Sequence, residues 1–382
     1  YSAIPFSFYL ERGITVKLSL TKLFVACIAV PVIITILLAS CNDTPAATIP
    51  SVTTPHLAGT EVRPAATPVP LPSMNSFETG MVTPAWSHNA YSNYTSTLHD
   101  MKVATDARWV ELPILLQQAT STSSHVDVSP TQVTPQSLEA GIRSAHGLGL
   151  RVFVVPLLGV NVSGDWSGTV MPGDMATWFS SYWQAFQPYV QVAQEAQADQ
   201  LSIGTEDDYI QENADPMLWT NLITDVAGIY HGRLTYDSNW SEMGYSVASW
   251  LRDSRLTYIG VSVYIDLETT PHYLQPPLLP RLWRSAIQSQ LDAFSSNVGK
   301  PVVISEIGYR DTSDALYHTW STTSSASISQ EEQAGAYDAV LTDIQGDSHI
   351  VGFFPWGWSN VGNMSLRGTL AVKYISQWYQ KF

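Results

Sequence analysis

Glu206 and Glu306 each close a short apolar run. Leu201-Ser202-Ile203-Gly204-Thr205 leads into the first, and Pro301-Val302-Val303-Ile304-Ser305 into the second. Such runs read as buried strands, and a carboxylate at the mouth of a buried strand is held rigidly and partly desolvated. One glutamate in that position reads best as a helix-start charge or an ion-pair partner. Two are what glycoside hydrolysis requires: one to give a proton to the leaving oxygen, the other to act as nucleophile or base. Other chemistry is thinly represented. His88, His99 and His125 are scattered with no His-Glu-x-x-His spacing, so no metal is expected. No serine sits in a Gly-x-Ser-x-Gly setting, and no cofactor is expected. The two cysteines, Cys27 and Cys41, both precede the part expected to fold, which excludes a disulfide framework or thiolate metal site there.

The elements that must position this pair alternate. Apolar runs at 81–85, 109–115, 151–158, 201–205, 233–236, 258–264, 302–305 and 350–354 read as eight strands, near-continuously apolar as when both faces are covered. Amphipathic stretches lie between them. The best begins at Thr134-Pro135, a cap followed by proline at the first turn, and ends at Gly147 and Gly149; others span 174–198, 216–230, 281–294, 330–344 and 370–382. Strand then helix, eight times over, predicts an α/β fold of the (β/α)8 TIM barrel type. The alternative, an open doubly wound sheet, normally carries a glycine-rich phosphate loop after its first strand; here that position reads Pro84-Ala85-Trp86-Ser87-His88.

In a barrel the C-terminal strand ends form the active-site face. Glu206 then ends strand four, Tyr264 strand six and Glu306 strand seven. Trp86 and His88 follow strand one, Asn239 and Trp240 strand five, Trp356 and Trp358 strand eight. All are expected to point into one bowl. Thirteen tryptophans and eighteen tyrosines suit a site that stacks sugar rings, although any one of them can equally be core. A net charge of −15 argues against a duplex nucleic acid as partner and is compatible with an uncharged polysaccharide. With 45% hydrophobic and 13% charged residues, the chain can build a large core.

The front end reads as an address. Lys17 and Lys22 precede an uncharged run from Leu23 to Ala39, and Leu38-Ala39-Ser40-Cys41 resembles a bacterial lipobox. Residues 1–41 are therefore expected to be a signal peptide ending at the lipidation site Cys41, with an uncleaved membrane anchor as the competing reading. Seven prolines from Pro45 to Pro72 mark 42–76 as a semi-extended linker, leaving 77–382 as the barrel. The expected product is a monomeric extracytoplasmic lipoprotein, tethered to the membrane or secreted.

Several segments together resemble glycoside hydrolase family 113, the endo-β-1,4-mannanases of the clan A barrels. These are Gly204-Thr205-Glu206; Leu234-Thr235-Tyr236 with Asn239-Trp240; Tyr258-Ile259-Gly260-Val261 with Tyr264; Ser305-Glu306-Ile307-Gly308-Tyr309-Arg310; and Gly352-Phe353-Phe354 with Trp356, Trp358 and Ser359. Asp165-Trp166-Ser167-Gly168, followed by Trp178-Phe179 and Tyr182, is similar to the segment after strand three. The resemblance implies Glu206 as acid/base, Glu306 as nucleophile, and β-mannan or a related glycan as substrate. Tyr264 is expected to orient the nucleophile; Trp86, His88, Trp166, Asn239, Trp240, Trp356 and Trp358 are expected to contact sugar. Arg310 is expected only to brace the strand-seven loop. Thr205 stands where most clan A families have Asn, which agrees with family 113 itself. Two places depart from the family pattern: Ser262, where an acidic residue is expected, and Val155-Pro156-Leu157-Leu158, where a basic residue and a histidine tend to occur. These affect substrate contacts more than the pair. Other readings are a non-catalytic carbohydrate-binding lipoprotein, which would not need both glutamates, a clan A glycosidase of different sugar specificity, and an exo-acting or transglycosylating enzyme.

Overall fold

The computed structural model describes residues 76–128, 132–244, 247–271, 278–358 and 362–382. The expected signal peptide, Cys41 and the linker before residue 76 lie outside them. Nine strands form one sheet: β1 (Glu78–Thr79), β2 (Trp109–Gln118), β3 (Val126–Val128), β4 (Arg151–Val160), β5 (Gln200–Thr205), β6 (Arg233–Asn239), β7 (Ile259–Ser262), β8 (Val302–Ile307) and β9 (Ile350–Pro355). Their order is β1-β9-β8-β7-β6-β5-β4-β2-β3. Every neighbouring pair is parallel except β2–β3. Beyond Thr79 the first strand runs on, with Gly80 N and Val82 N donating to Phe353 O and Pro355 O, while Glu111 N donates to Met81 O and Thr83 N to Glu111 O. The first strand is thus bonded to β9 on one side and β2 on the other. The sheet curls round to meet itself, consistent with the expected (β/α)8 barrel. Two details differ from expectation: the first strand starts at Glu78 rather than at 81, and β3 adds an antiparallel hairpin to β2.

The helices are α1 (Thr95–Thr105), α2 (Pro135–Gly147), α3 (Met175–Glu195), α4 (Asp208–Asn213), α5 (Pro216–Ala227), α6 (Leu279–Trp283), α7 (Ser289–Val298), α8 (Gln330–Ile344) and α9 (Ala371–Tyr379). Side chains set the starts of three of them by accepting from an otherwise orphaned N–H. Thr134 accepts from Ser137 N at 3.1 Å, Asp174 from Thr177 N at 3.1 Å and Asp215 from Met217 N at 2.9 Å. The single helix expected over 281–294 is instead α6 and α7 joined by a π-helical turn, Arg284–Gln288.

Alternation along the strands divides the core in two. Val110, Leu112, Val154, Ile203, Tyr236, Val261 and Ile304 belong to the large cluster that includes the helices' buried faces. Trp109, Phe153, Val155, Val303 and Phe354 form a separate cluster with Val82 and Tyr258, the layered filling of a barrel interior. Glu111, two residues after Trp109, shares the inward face. So do Ser202, Asp237, Gly260, Ser262 and Ser305, all alternating with members of the outer cluster. Toward the C-terminal ends of β5 to β8 the interior is therefore small and polar. Three register shifts fall in the same region, between Ser202 and Thr205, at Val261/Ser262 and between Ile304 and Ile307; such irregularities re-aim side chains. At the opposite end, Glu78 pairs with Arg233 at 2.6 Å, and Asp199 with Arg151 at 2.6 Å and His146 at 3.0 Å.

Candidate active site

A cavity of about 400 to 1000 Å³ suits a short sugar chain, and one of ≈ 720 Å³ opens at the C-terminal strand ends, with Glu206, Asn239, Trp240, Tyr264, Glu306, Trp166 and Trp356 in its wall. Seven of the ten candidate site residues are thus brought together. Glu206 directly follows β5 and adopts φ 54°, a left-handed conformation that costs a non-glycine residue roughly 1–2 kcal/mol. A hydrogen bond from its N–H to Asp237 O at 2.8 Å holds it there. Glu306 lies within β8, its neighbour in register on β7 being Ser262. Tyr264 donates its hydroxyl to Glu306 Oε2 at 3.0 Å.

Glu306 is buried and Glu206 half-buried among other carboxylates, and among the described residues no arginine or lysine lines the cavity. Burial raises Glu206, opposed by the Ser262 hydroxyl beside it, which makes no hydrogen bond of good geometry. Burial also raises Glu306, and the neighbouring Glu206 charge adds to this; the Tyr264 hydrogen bond acts the other way. Two acids this close titrate as a pair, and the hydroxyl of Tyr264 favours the negative charge on Glu306.

Three expected residues stand elsewhere. Trp86 and Trp358 line an adjoining cavity that shares Trp356, Thr322 and Met364 with the first. Trp86 extends the aromatic wall, its ring stacked 6.3 Å from that of Trp356, whereas Trp358 is 3% exposed and largely core. His88 is exposed and lines neither cavity, while its carbonyl accepts from Thr134 N at the start of α2. A position after a strand end does not fix which way the side chain turns. Asn239 serves twice: it lines the cavity, and its Oδ1 accepts from Ser241 N at 3.3 Å in the turn that follows.

Sequence reasoning missed several members. Asp237 and Glu111 are fully buried carboxylates inside the sheet, both raised, first by burial and further by Glu206 on the former and by Glu306 and Asp237 on the latter. Gly260 makes Asp237 possible: a Cβ there would lie 1.6 Å from Asp237 Oδ1. Each carboxylate interrupts an apolar strand, Val110-Glu111-Leu112 and Tyr236-Asp237-Ser238, which was the available signal. Asp208 is pushed up to about 7 by burial and by Glu206, and Ser241 donates to it at 3.0 Å. Trp320, Thr322 and Met364 complete the wall; the aromatic run Tyr317-His318-Thr319-Trp320 in a long connection was the clue to the first. The group of described residues spaced to hold a cation, Asp292, Asp347 and His349, adjoins the start of β9 and so lies at the other end of the strands.

With this geometry in hand, comparisons with known proteins agree with the fold. The sequence profile of Glycoside Hydrolase Family 113 matches residues 78–372. A GH113 β-1,4-mannanase in a complex structure superposes with a TM-score of 0.69 at 22% identity, covering 80% of this chain and 100% of that one. The GH113 β-mannanase of Alicyclobacillus acidocaldarius, in complex with ManMIm, gives 0.67 at 18% identity over 81% of this chain and 99% of its own. A β-D-glucuronidase of Dictyoglomus thermophilum gives 0.54 at 11% identity, with 51% of its chain covered. No curated protein sequence matches. The profile spans well over half of the chain, and the protein therefore belongs to glycoside hydrolase family 113.

Proposed function

We propose that this glycoside hydrolase is a retaining β-mannanase in which Glu306 is the nucleophile and Glu206 the acid/base. One observation carries the reading: both glutamates line one cavity and Tyr264 holds Glu306 by a 3.0 Å hydrogen bond. In the first step a Glu306 carboxylate oxygen attacks the anomeric carbon, the bond to the leaving sugar breaks, and the Glu206 proton passes to the leaving oxygen. In the second step Glu206, now ionised, takes a proton from water as that water attacks the same carbon and frees Glu306. Burial raises both carboxyls, Glu206 adds to the rise on Glu306, and the hydrogen bond from the Tyr264 hydroxyl favours the charged form of Glu306, as a nucleophile requires. Trp166, Trp240 and Trp356 offer stacking faces, and Asn239 a hydrogen-bonding group, for the sugars on either side of the bond.

β-1,4-Mannan is favoured as substrate because both GH113 structures named above are described as β-mannanases. Exposing the protein to β-mannans, glucans, xylans and galactans and sizing the products tests this, with the anomer released first read by NMR. The expected outcome is mannan cleavage with the β-anomer formed first. Glu306→Ala and Glu206→Ala are each expected to lower kcat by roughly 10³-fold or more. Full activity in either variant would remove that assignment.

A further inference from the structure

We propose that Trp320 is a built subsite for a sugar ring beyond the bond being cleaved, presented by the buried Arg310. Among the described residues Trp320 is the most exposed aromatic, 60% accessible, yet it lines the same cavity as Glu206 and Glu306. It sits in the long connection between β8 and α8, where an exposed indole would ordinarily be mobile and costly in water. The backbone on both sides of it is fastened instead.

Arg310 is 1% exposed. Its Nη1 donates to His318 O and Ser321 O, and its Nη2 to Asp314 O and Tyr317 O, each at 2.7 Å. A buried guanidinium directed at four carbonyls from 314 to 321 fixes the curvature of this segment. Thr319 N donates to Asp266 Oδ1 at 2.9 Å, and Ser321 N to His318 O at 2.9 Å. The residues immediately before and after Trp320 are therefore both held.

The ring is backed as well. The indole stacks on the His318 imidazole, centroids 5.1 Å apart at 29°, and His318 stacks on Tyr317 at 3.8 Å and 22°. His318 takes a left-handed φ of 48° to do so, a conformation unfavourable without glycine. One indole face is covered by the stack and the accessible area remains for a ligand. A flat, rigid apolar face at the edge of the cavity that holds the two glutamates matches the C–H face of a pyranose ring. Because the platform is held beforehand, little ordering entropy opposes binding. A single ring is too small to be a protein-docking patch.

The inference rests on the glycanase reading above, and the test separates the two. Trp320→Ala and Trp320→Phe are compared with the wild-type chain on manno-oligosaccharides of increasing length and on the polymer. Trp320→Ala is expected to reduce kcat/KM about tenfold on the longest substrates, or about 1.4 kcal/mol, through KM with kcat retained. The loss should vanish on the shortest substrate cleaved, and Trp320→Phe should recover most of it. An unchanged urea midpoint would exclude misfolding, as expected for an exposed side chain. An equal loss at every length, or none at any length, would overturn the subsite while leaving the hydrolase reading in place. A wild-type protein that cleaves no member of the series would remove both.

Discussion

The two ends of the barrel supply their buried carboxylates with different partners. At the N-terminal strand ends, burial pushes Asp199 up, but hydrogen bonds from His146, Arg151 and the Val152 N–H outweigh it and hold the group below its usual range. Glu78, at the same end, is raised by burial to about 7 even with Arg233 in contact. At the C-terminal ends Asp207, Asp237 and Glu306 are buried and Glu206 half-buried, none with a cationic partner among the described residues, and all are raised. Burial is therefore common to both ends, and the supply of partners is what differs. A carboxylate whose partners outweigh burial, as at Asp199, is held ionised and contributes to stability. An unpaired one keeps a proton it can give away, at a cost in stability.

The largest effect that can test this contrast comes from removing one group at each end. Asp199→Ala removes the buried carboxylate that Arg151 and His146 both contact and is expected to destabilise by roughly 3 kcal/mol, the lower part of the range for breaking a buried pair, because Arg151 is partly exposed. Glu306→Gln removes a charge that has no cationic partner, and should change stability by less than about 1 kcal/mol, or raise it, while removing activity. Urea midpoints for both variants decide the matter. Equal destabilisation at the two ends would break the comparison.

That contrast also explains what could be read from the sequence. Strands are legible because burial on both faces makes them continuously apolar, and a charged residue at their ends stands out; this exposed Glu206 and Glu306, and with them Tyr264 and Asn239. α8 matches its expected span, Gln330–Ile344, because its start and stop are both local. α1 escaped notice because its buried apolar residues, Leu98 and Met101, are few. Glu111 was hidden inside the run 109–115, and Asp237 lay just past the run 233–236, since their environment comes from strands far away in sequence. Trp320 was hidden because the anchor that makes it a platform is a set of carbonyls, which carry no sequence signature. Trp358 and His88 were placed in the bowl on position alone, and the turn of the backbone sends them elsewhere.

Within the unpaired end, the contrast can be sharpened by pH. Both oxygens of Glu111 are buried without a hydrogen-bond partner, and burial, then Glu306 and Asp237, raise it well above the usual range. Below an unfolded-state pKa of about 4.3, the group is protonated in both states and carries no penalty. As pH rises past that value the unfolded chain loses the proton and the folded chain keeps it, so stability falls until the folded pKa is passed. Glu111→Gln removes this difference. Between pH 5 and pH 8 the variant should lose less stability than the wild type, by an amount on the order of 1 kcal/mol. The same fall in both proteins would show that Glu111 does not carry the penalty.

The smallest effect concerns the neighbours of Glu206. Ser241 lies 3.0 Å from Asp208 Oδ2 and 3.3 Å from Glu242 Oε1. One hydroxyl proton serves only one of the two carboxylates at a time, which leaves the other without that hydrogen bond. Burial, then Glu206, raises Asp208 to about 7; burial, then Glu212 and Asp208, raises Glu242 to about 8. Coupling is mutual: a charge on Asp208 also raises Glu206. Asp208→Asn removes that charge, so Glu206 should lose its proton at a lower pH. Because the acid/base is active when protonated, the alkaline limb of kcat/KM should move to lower pH, by less than about one unit, while the acid limb set by Glu306 stays in place. An immobile alkaline limb would mean that solvent screens Asp208 from Glu206, and that the proton on the acid is held by burial alone.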